Sequence, residues 1–517
     1  MNMTGEFNHK GARRLLFGLL IIATILRLWV AWQPIETLVT KNLPDDAFYY
    51  FVIARNVVTL GNASLDGTSV TNGFHPLWLI LILPIFGWAQ GGNELPIHIA
   101  LSLASLLDVV SVFLLARLAA KLFRDWRAGL MAGWLYAINP VVILQATNGL
   151  ETSLGIFTVL LFLSAYQAWL IHETKRNFPG WLAVCGGLMF LARTDSFFLF
   201  ASTMLAAIWY WKTKESINSV LKIGVGSLII VSPWLIWSQV NLGKIFQDSG
   251  EAIPYILHEK FALAHGAGFV PFISQSIRQV IDPIVWLRGD FTGLPLIIGS
   301  LLWLTTLLLL YKRWRSAPQK VEMAIVFPIL VASLLLILVH AGFRWYPRPW
   351  YFLLASLGFA LCLTISVYAH FSKIRVIIWM VASVSVVYIV SGQLYWNVGY
   401  YPWQREMLEA SRWVSQNLTK DKKIASFNAG ILSFYNSPNV INVDGVVNHQ
   451  AYEAIQSQTL LSYMQTNGAD YVIDADAVVS DLYARFMGNG YPDSLQEVAS
   501  FGELNAELGE LRLYLIE

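Results

Sequence analysis

The chain has 517 residues, 56% of them hydrophobic and only 13% charged, with a mean hydropathy of +0.54. An average soluble protein is about one-quarter charged, so this composition excludes a purely water-soluble enzyme, and no basic module exists that would bind nucleic acid. The formal charge of +2 conceals a split: residues 400–517 carry 15 acidic and 7 basic residues, a local charge of −8, which leaves +10 on residues 1–399.

A spanning helix needs about 20 mostly apolar residues, and its cytoplasmic flanks collect Lys and Arg. Lys10, Arg13 and Arg14 precede the apolar run Leu15–Trp32, which lacks a small-residue cleavage site and reads as a retained first span with the N-terminus inside. The next run, Pro76–Ala89, falls short of a span. If it crossed, Arg117, Lys121, Arg124 and Arg127 would lie outside; if it rests in the outer interface or re-enters, all four are cytoplasmic. The second choice obeys both rules.

Spans then follow near 96–116, 129–146, 152–171, 180–192, 196–211, 219–239, 294–311, 322–341, 350–369 and 376–396, about 11 in all. Inside turns hold Lys175/Arg176, Lys212/Lys214/Lys222, Lys312/Arg313/Arg315/Lys320 and Lys373/Arg375, so 18 bases lie on short cytoplasmic segments against nine on outer ones. The reading is a polytopic α-helical membrane protein, residues 1–399, followed by an extracytoplasmic α/β domain, residues 400–517. The two cysteines, Cys185 and Cys362, sit inside apolar segments, which rules out a disulfide framework or a cysteine metal site.

This topology, chosen on charge and length, gathers the unusual polar groups on the outer face. The first outer loop runs Leu43-Pro-Asp-Asp-Ala-Phe-Tyr-Tyr to Asn56, then Thr71-Asn-Gly-Phe-His-Pro-Leu-Trp78. Glu151 follows in Asn148-Gly-Leu-Glu-Thr, Arg193 and Asp195 in Leu191-Ala-Arg-Thr-Asp-Ser196, and Arg344 and Arg348 in Phe343-Arg-Trp-Tyr-Pro-Arg-Pro-Trp. An ionisable group at the bilayer centre costs about 2.5–3.5 kcal/mol on insertion scales, so these groups need a shared polar cavity, partners or an edge position. Plainer roles exist for each. Asp45 and Asp46 could cap a juxtamembrane helix, Arg344 and Arg348 could snorkel as interfacial anchors, Glu151 could pair with Arg193, and His75 could be a hydrogen-bonded loop histidine.

Taken together, the Pro-Asp-Asp-Ala-Phe start, the Asn-Gly-Phe-His-Pro-Leu-Trp block, Gly-Leu-Glu-Thr and Leu-Ala-Arg-Thr-Asp resemble the GT-C superfamily of integral-membrane glycosyltransferases. They are most similar to polyprenyl-phosphate-sugar enzymes of the mycobacterial terminal arabinofuranosyltransferase type, and the layout over about residues 1–370 also resembles protein O-mannosyltransferases and lipid A aminoarabinose transferases. The resemblance implies an inverting transfer from a polyprenyl-phosphate-linked sugar to a hydroxyl acceptor (glycan, lipid or protein) at the outer face of the cell membrane. Asp45, with Asp46 as the other candidate, would match the catalytic base. Arg348 and Arg344, then Arg193 and Arg55, would hold the donor phosphate, because a guanidinium fork fits phosphate oxygens and stays charged. Glu151, Asp195, Asn72 and His75 would bind substrate or orient the arginines. The first loop has no Asp-x-Asp, so no divalent metal or other cofactor is implied, and Thr194 stands where relatives carry Pro.

The loop 241–293 is expected to be partly helical, with Phe261–Val270 rich in small residues and Ile273–Trp286 near helical spacing, serving as an interfacial helix or a lid over the donor site. The tail is expected to alternate: a helix over 403–418, strands at Lys423–Asn428, Val440–Val443 and Tyr471–Asp474, and a helix over 449–466, giving a mainly parallel sheet. Its turns at Asn428–Gly430 and Asp444–Asn448 sit at strand ends, where α/β domains bind ligands, so acceptor binding stands beside a purely structural role. A transporter or flippase of a lipid-linked sugar is the alternative function, although no internal repeat of the transporter kind is present.

Overall fold

The computed structural model describes residues 7, 10–87, 93–171, 178–263, 269–281, 293–316, 321–345, 347–371, 374–505 and 508–517. The basic turn residues Lys175, Arg176, Lys320 and Lys373 lie outside them.

Every predicted span coincides with helix. The first is α1 (Lys10–Ala31). Three short helices follow in the first loop: α2 (Ile35–Lys41), α3 (Asp45–Leu60) and α4 (Pro76–Phe86). Pro44, extended at φ −71°, opens α3, and Gly61 closes it at φ +73°, a left-handed position that favours glycine. α4 has 11 residues, about 16 Å at 1.5 Å per residue, against a hydrocarbon core of about 30 Å.

Then come α5 (Leu95–Phe123), α6 (Trp126–Ala137), α7 (Pro140–Gln145), α8 (Thr152–Ile171), α9 (Phe178–Ala192), α10 (Phe197–Trp211) and α11 (Lys214–Leu242). The segment read as one span over 129–146 is broken into α6 and α7, because Pro140 cannot continue the preceding helix and Asn139 caps a new one, its side chain accepting from the Val141 N–H at 3.0 Å. After α12 (Ser249–Leu263) and α13 (Phe269–Ile281), the remaining apolar helices are α14 (Gly293–Ser316), α15 (Val321–Gly342), α16 (Leu353–His370) and α17 (Ile374–Val398). Among the described residues, seven helices are long and apolar enough to cross a membrane: α1, α5, α8, α11, α15, α16 and α17. α5 packs against α1, α6 and α8, α9 against α8 and α11, and α10 against α15. α11 and α17 leave Ile229, Val240, Trp379 and Ile389 uncovered, as helices facing lipid do.

The C-terminal region holds α18 (Gln404–Asn417), β1 (Ile424–Ser426), α19 (Gly430–Asn436), β2 (Val440–Asn442), α20 (His449–Gln456), α21 (Leu460–Thr466), β3 (Tyr471–Ala475), α22 (Ala484–Met487), β4 (Leu495–Asn505) and β5 (Gly509–Ile516). The sheet order is β2-β1-β3-β5-β4. The three expected strands pair in parallel, Ile424 opposite both Val440 and Tyr471, and an unanticipated antiparallel hairpin, β4–β5, extends the sheet through Val472 opposite Tyr514. The helix expected over 449–466 is split at Gln458, whose backbone is left-handed at φ +56°.

No gap separates this region from the membrane helices. Phe48 and Phe51 of α3 meet Phe434 of α19 edge-on, with ring centroids 5.6 and 6.5 Å apart, within one continuous apolar core. Of the long loop, α12 packs Ala252 and Ile256 among Tyr452, Ile455 and Phe486 of the C-terminal region; residues 264–268 and 282–292, which include parts of Phe261–Val270 and Ile273–Trp286, lie outside the described residues.

Candidate active site

Asp45 and Asp46 occupy the first turn of α3, yet neither caps it: Pro44 is the capping residue and makes no side-chain bond. The Asp45 carboxylate instead accepts the backbone N–H groups of Gly430 (2.9 Å) and Ile431 (2.7 Å) at the start of α19. Its own backbone N–H donates to Gln404 Oε1 at 2.8 Å. Burial pushes the Asp45 carboxyl up to about 7, against the two N–H donors, which favour its charged form. Only glycine fits at 430, because a Cβ there would collide with the Asp45 backbone carbonyl. Farther along α3, the Arg55 guanidinium donates to the carbonyls of Phe434 (3.1 Å) and Ser433 (3.4 Å) and lies over the Phe434 ring.

Asp46 behaves differently. It is exposed to solvent, whereas Asp45 beside it is buried. Burial raises its pKa, the Arg348 charge lowers it, and the Glu151 charge raises it. Arg348 is half-buried just before the 3₁₀ turn Pro349–Tyr351, where the rigid Pro349 fixes its height. Burial works against the Arg348 charge, but Tyr400, Tyr401 and Asp46 more than offset it and raise its pKa.

A second polar group meets the first. Glu151, at the start of α8, accepts from Arg193 Nη1 at 2.7 Å and from the Tyr50 hydroxyl at 2.8 Å. Arg193 ends α9 and grips Asp195 with two bonds, Nε to Oδ1 at 3.1 Å and Nη2 to Oδ2 at 2.6 Å, with its guanidinium 5.5 Å from the Tyr351 ring centroid. Burial would favour a neutral Arg193, yet Asp195 and Glu151 hold it charged. Burial likewise opposes the Asp195 charge, and Arg193 pulls its pKa below the usual value. Gly155 makes the room: a Cβ there would come within 2.6 Å of Arg193 Cδ. The His75 backbone N–H donates to the Tyr50 hydroxyl (2.9 Å), and its Nε2 lies 3.6 Å from Glu151 Oε1; burial lowers its pKa, keeping it neutral. A narrow cavity leads from Arg193, Asp195 and Tyr351 between apolar side chains including Val159, Leu199 and Leu336.

Asp46, Arg348, Glu151, Arg193, Asp195 and His75 are thus brought to one region. Asn72 is not: it is fully buried and consumed by Ser238 Oγ, the Phe246 carbonyl and the Asp248 N–H, bracing the first loop against the end of α11. Arg344 follows α15 in a left-handed turn, φ +55°, and its guanidinium contacts none of these carboxylates among the described residues. Among the described residues no group of three or more His, Cys, Asp or Glu side chains is placed to hold a metal ion.

Sequence reasoning overlooked several participants. Tyr50 joins Glu151 to His75. Tyr49 receives Asn442 Nδ2 and donates to Asp444, whose carboxyl burial pushes up to about 8. Asp474 caps the turn after β1 through the N–H groups of Phe427 and Asn428. The adjacent Tyr49-Tyr50 pair was the available signal, since buried tyrosine hydroxyls need partners.

Residues 74–237 match the dolichyl-phosphate-mannose-protein mannosyltransferase family, and residues 396–514 match a domain of unknown function. No curated protein matches the chain. Among solved structures, ArnT from Cupriavidus metallidurans bound to undecaprenyl phosphate superposes with a TM-score of 0.60 at 12% identity, covering 98% of each chain. The oligosaccharyltransferase AglB from Archaeoglobus fulgidus, in complex with an inhibitory peptide and a dolichol-phosphate, gives 0.54 at 14% identity, over 93% of this chain and 71% of that one. Arabinofuranosyltransferase AftD from Mycobacteria gives only 0.43 at 14% identity, over 97% and 41%, too slight a likeness to carry an argument. Over residues 74–237 the chain is thus similar to the mannosyltransferase family, and over nearly its whole length its fold is similar to those of ArnT and AglB.

Proposed function

We propose that the protein transfers a sugar from a polyprenyl-phosphate donor to a hydroxyl acceptor at the outer face of the membrane, with inversion, and that Asp46 is the base. The observation that carries the proposal is the placement of Asp46: a carboxylate open to solvent and within reach of the Arg348 charge. The donor type is supported by the two structures similar in fold, solved with undecaprenyl phosphate and with dolichol-phosphate.

In this reading Asp46 accepts the acceptor hydroxyl's proton as its oxygen attacks the anomeric carbon. The bond to the phosphate oxygen breaks on the opposite face and the electron pair leaves with the prenyl phosphate. That group leaves well and needs charge stabilisation rather than a strong acid, which Arg348 supplies with a fixed positive charge. A positioned general base contributes about 10²–10⁴-fold. The prenyl chain would run along the apolar cavity past Val159 and Leu336, and Glu151 and Asp195, which orient Arg193, would meet sugar hydroxyls. Residues 1–399 would form the catalytic membrane domain, with the N-terminus inside and residues 400–517 outside, an orientation that the 18-to-nine division of bases supports.

Reconstitution in liposomes with a polyprenyl-phosphate sugar on the outer leaflet tests the class. Appearance of a glycosylated acceptor with release of prenyl phosphate is expected. Movement of intact lipid-linked sugar between leaflets without transfer would support the flippase alternative.

A further inference from the structure

The proposal above uses only one carboxylate of the adjacent pair. We infer that Asp45 is a positioning residue, and that the C-terminal region, whose residues 396–514 match a domain of unknown function, acts as the brace that aims Asp46. This rests on the reading of Asp46 as the base.

The hydrogen-bond partners of Asp45 come from the C-terminal region. Both Asp45 carboxylate oxygens accept from consecutive backbone donors, Gly430 and Ile431, and the residue is only 6% exposed. With both oxygens turned to these donors and the residue almost closed to solvent, Asp45 offers an acceptor hydroxyl little access. Gln404 of α18 holds the other side of the turn: its Oε1 accepts the Asp45 N–H, while its Nε2 donates to the carbonyls of Val39 (2.7 Å) and Leu43 (2.8 Å). Ten residues on, Arg55 reaches the far end of α19. An acid meets the start of α19 and a base meets its end, each matching the partial charge found there.

The geometry makes the brace matter for Asp46. The first turn of a helix has unsatisfied N–H groups and frays unless something ties it down. Successive side chains on a helix are about 100° apart at 3.6 residues per turn, so fixing the direction of Asp45 fixes that of Asp46. A catalytic group displaced by about 1 Å can lose about 10²-fold in rate. The bare Cα of Gly430 is what lets α19 come close enough to make the contact.

The test uses full-length protein in nanodiscs with a polyprenyl-phosphate sugar donor, comparing Asp45→Asn, Gly430→Ala, their double variant and Asp46→Asn. Asp45→Asn is expected to lower kcat about 10–100-fold and leave donor KM within about threefold. The acid limb of its kcat–pH profile is expected to persist, because Asp46 still titrates. Gly430→Ala, which pushes on the same contact from the other side, is expected to give the same pattern, and the double variant no more loss than the worse single one. Should Asp45→Asn not fold, Gly430→Ala carries the test alone. Wild-type kcat in Asp45→Asn and Gly430→Ala overturns the inference. So does loss of the acid limb in Asp45→Asn while Asp46→Asn retains it. If Asp46→Asn transfers sugar at the wild-type rate, the base assignment fails on its own account, and the inference falls with it whatever Asp45→Asn does.

Discussion

Arg193 Nη1 lies 2.7 Å from Glu151 Oε1, and this contact joins the end of α9 to the start of α8 beneath the site. Because Asp195 holds the other edge of the same guanidinium, one cation satisfies two carboxylates, Glu151 buried and Asp195 partly exposed.

Removing Arg193 strands both acids. Breaking a buried pair from one side costs about 3–5 kcal/mol, so Arg193→Ala is expected to lower the midpoint of thermal unfolding in detergent markedly and to abolish transfer. Arg193→Lys is expected to recover little, since a single ammonium cannot make the paired bonds to Asp195 and also reach Glu151. Full stability of Arg193→Ala would show that the triad contributes nothing.

The pH dependence of transfer follows from the neighbours of Asp46. A base works only when ionised, so kcat falls as pH drops through its pKa, and burial sets that fall above the usual carboxylate range. Arg348 lowers the Asp46 pKa and Glu151 raises it. Arg348→Gln is therefore expected to move the acid limb to higher pH, and Glu151→Gln to lower pH. Profiles of kcat against pH for both variants decide the matter; displacement of both limbs in the same direction would contradict the arrangement.

A charge pair within the helices makes a separate prediction about stability. Arg27 and Asp108 are fully buried with Nε 2.6 Å from Oδ2, and Tyr136 donates to the other Asp108 oxygen at 2.9 Å. Asp108→Leu leaves Arg27 as an uncompensated buried charge and is expected to cost about 3–5 kcal/mol, whereas Arg27→Met with Asp108→Leu is expected to be close to neutral. Thermal unfolding of the three proteins is the measurement, and kcat of the double variant should match wild type. Equal loss in the single and double variants would mean that the site needs the pair for more than mutual compensation.

The pattern of what could be read from the chain has a physical basis. Hydropathy and basic flanks report on local segments, so the apolar runs emerged as helices and Pro76–Phe86 emerged as too short to cross. The cluster of Asp46, Glu151, Arg193, Asp195 and Arg348 was legible because charges are scarce in this chain and membrane topology sorts them by side. Pairing across hundreds of residues was not legible. Nothing local tells Asp45 from Asp46, and the difference arises only when Gly430, 385 positions away, arrives with its free N–H. Asn72 has the composition of a site residue, but its three bonds to Ser238, Phe246 and Asp248 belong to packing. Arg27 and Asp108 were hidden inside apolar spans, although two opposite charges in neighbouring spans were a usable sign of a partnered pair. In the β4–β5 hairpin, β4 is a mostly exposed edge strand whose register against β5 shifts, which weakens its period-2 signal.

The most direct measurement is sugar transfer by purified Asp46→Asn protein in liposomes, beside wild type, with donor binding followed in the same preparation. Asn keeps the size of Asp and removes its basicity, so donor binding and thermal stability should remain near wild type while kcat falls about 10²–10⁴-fold. Transfer at the wild-type rate by a folded, donor-binding Asp46→Asn protein would contradict the account.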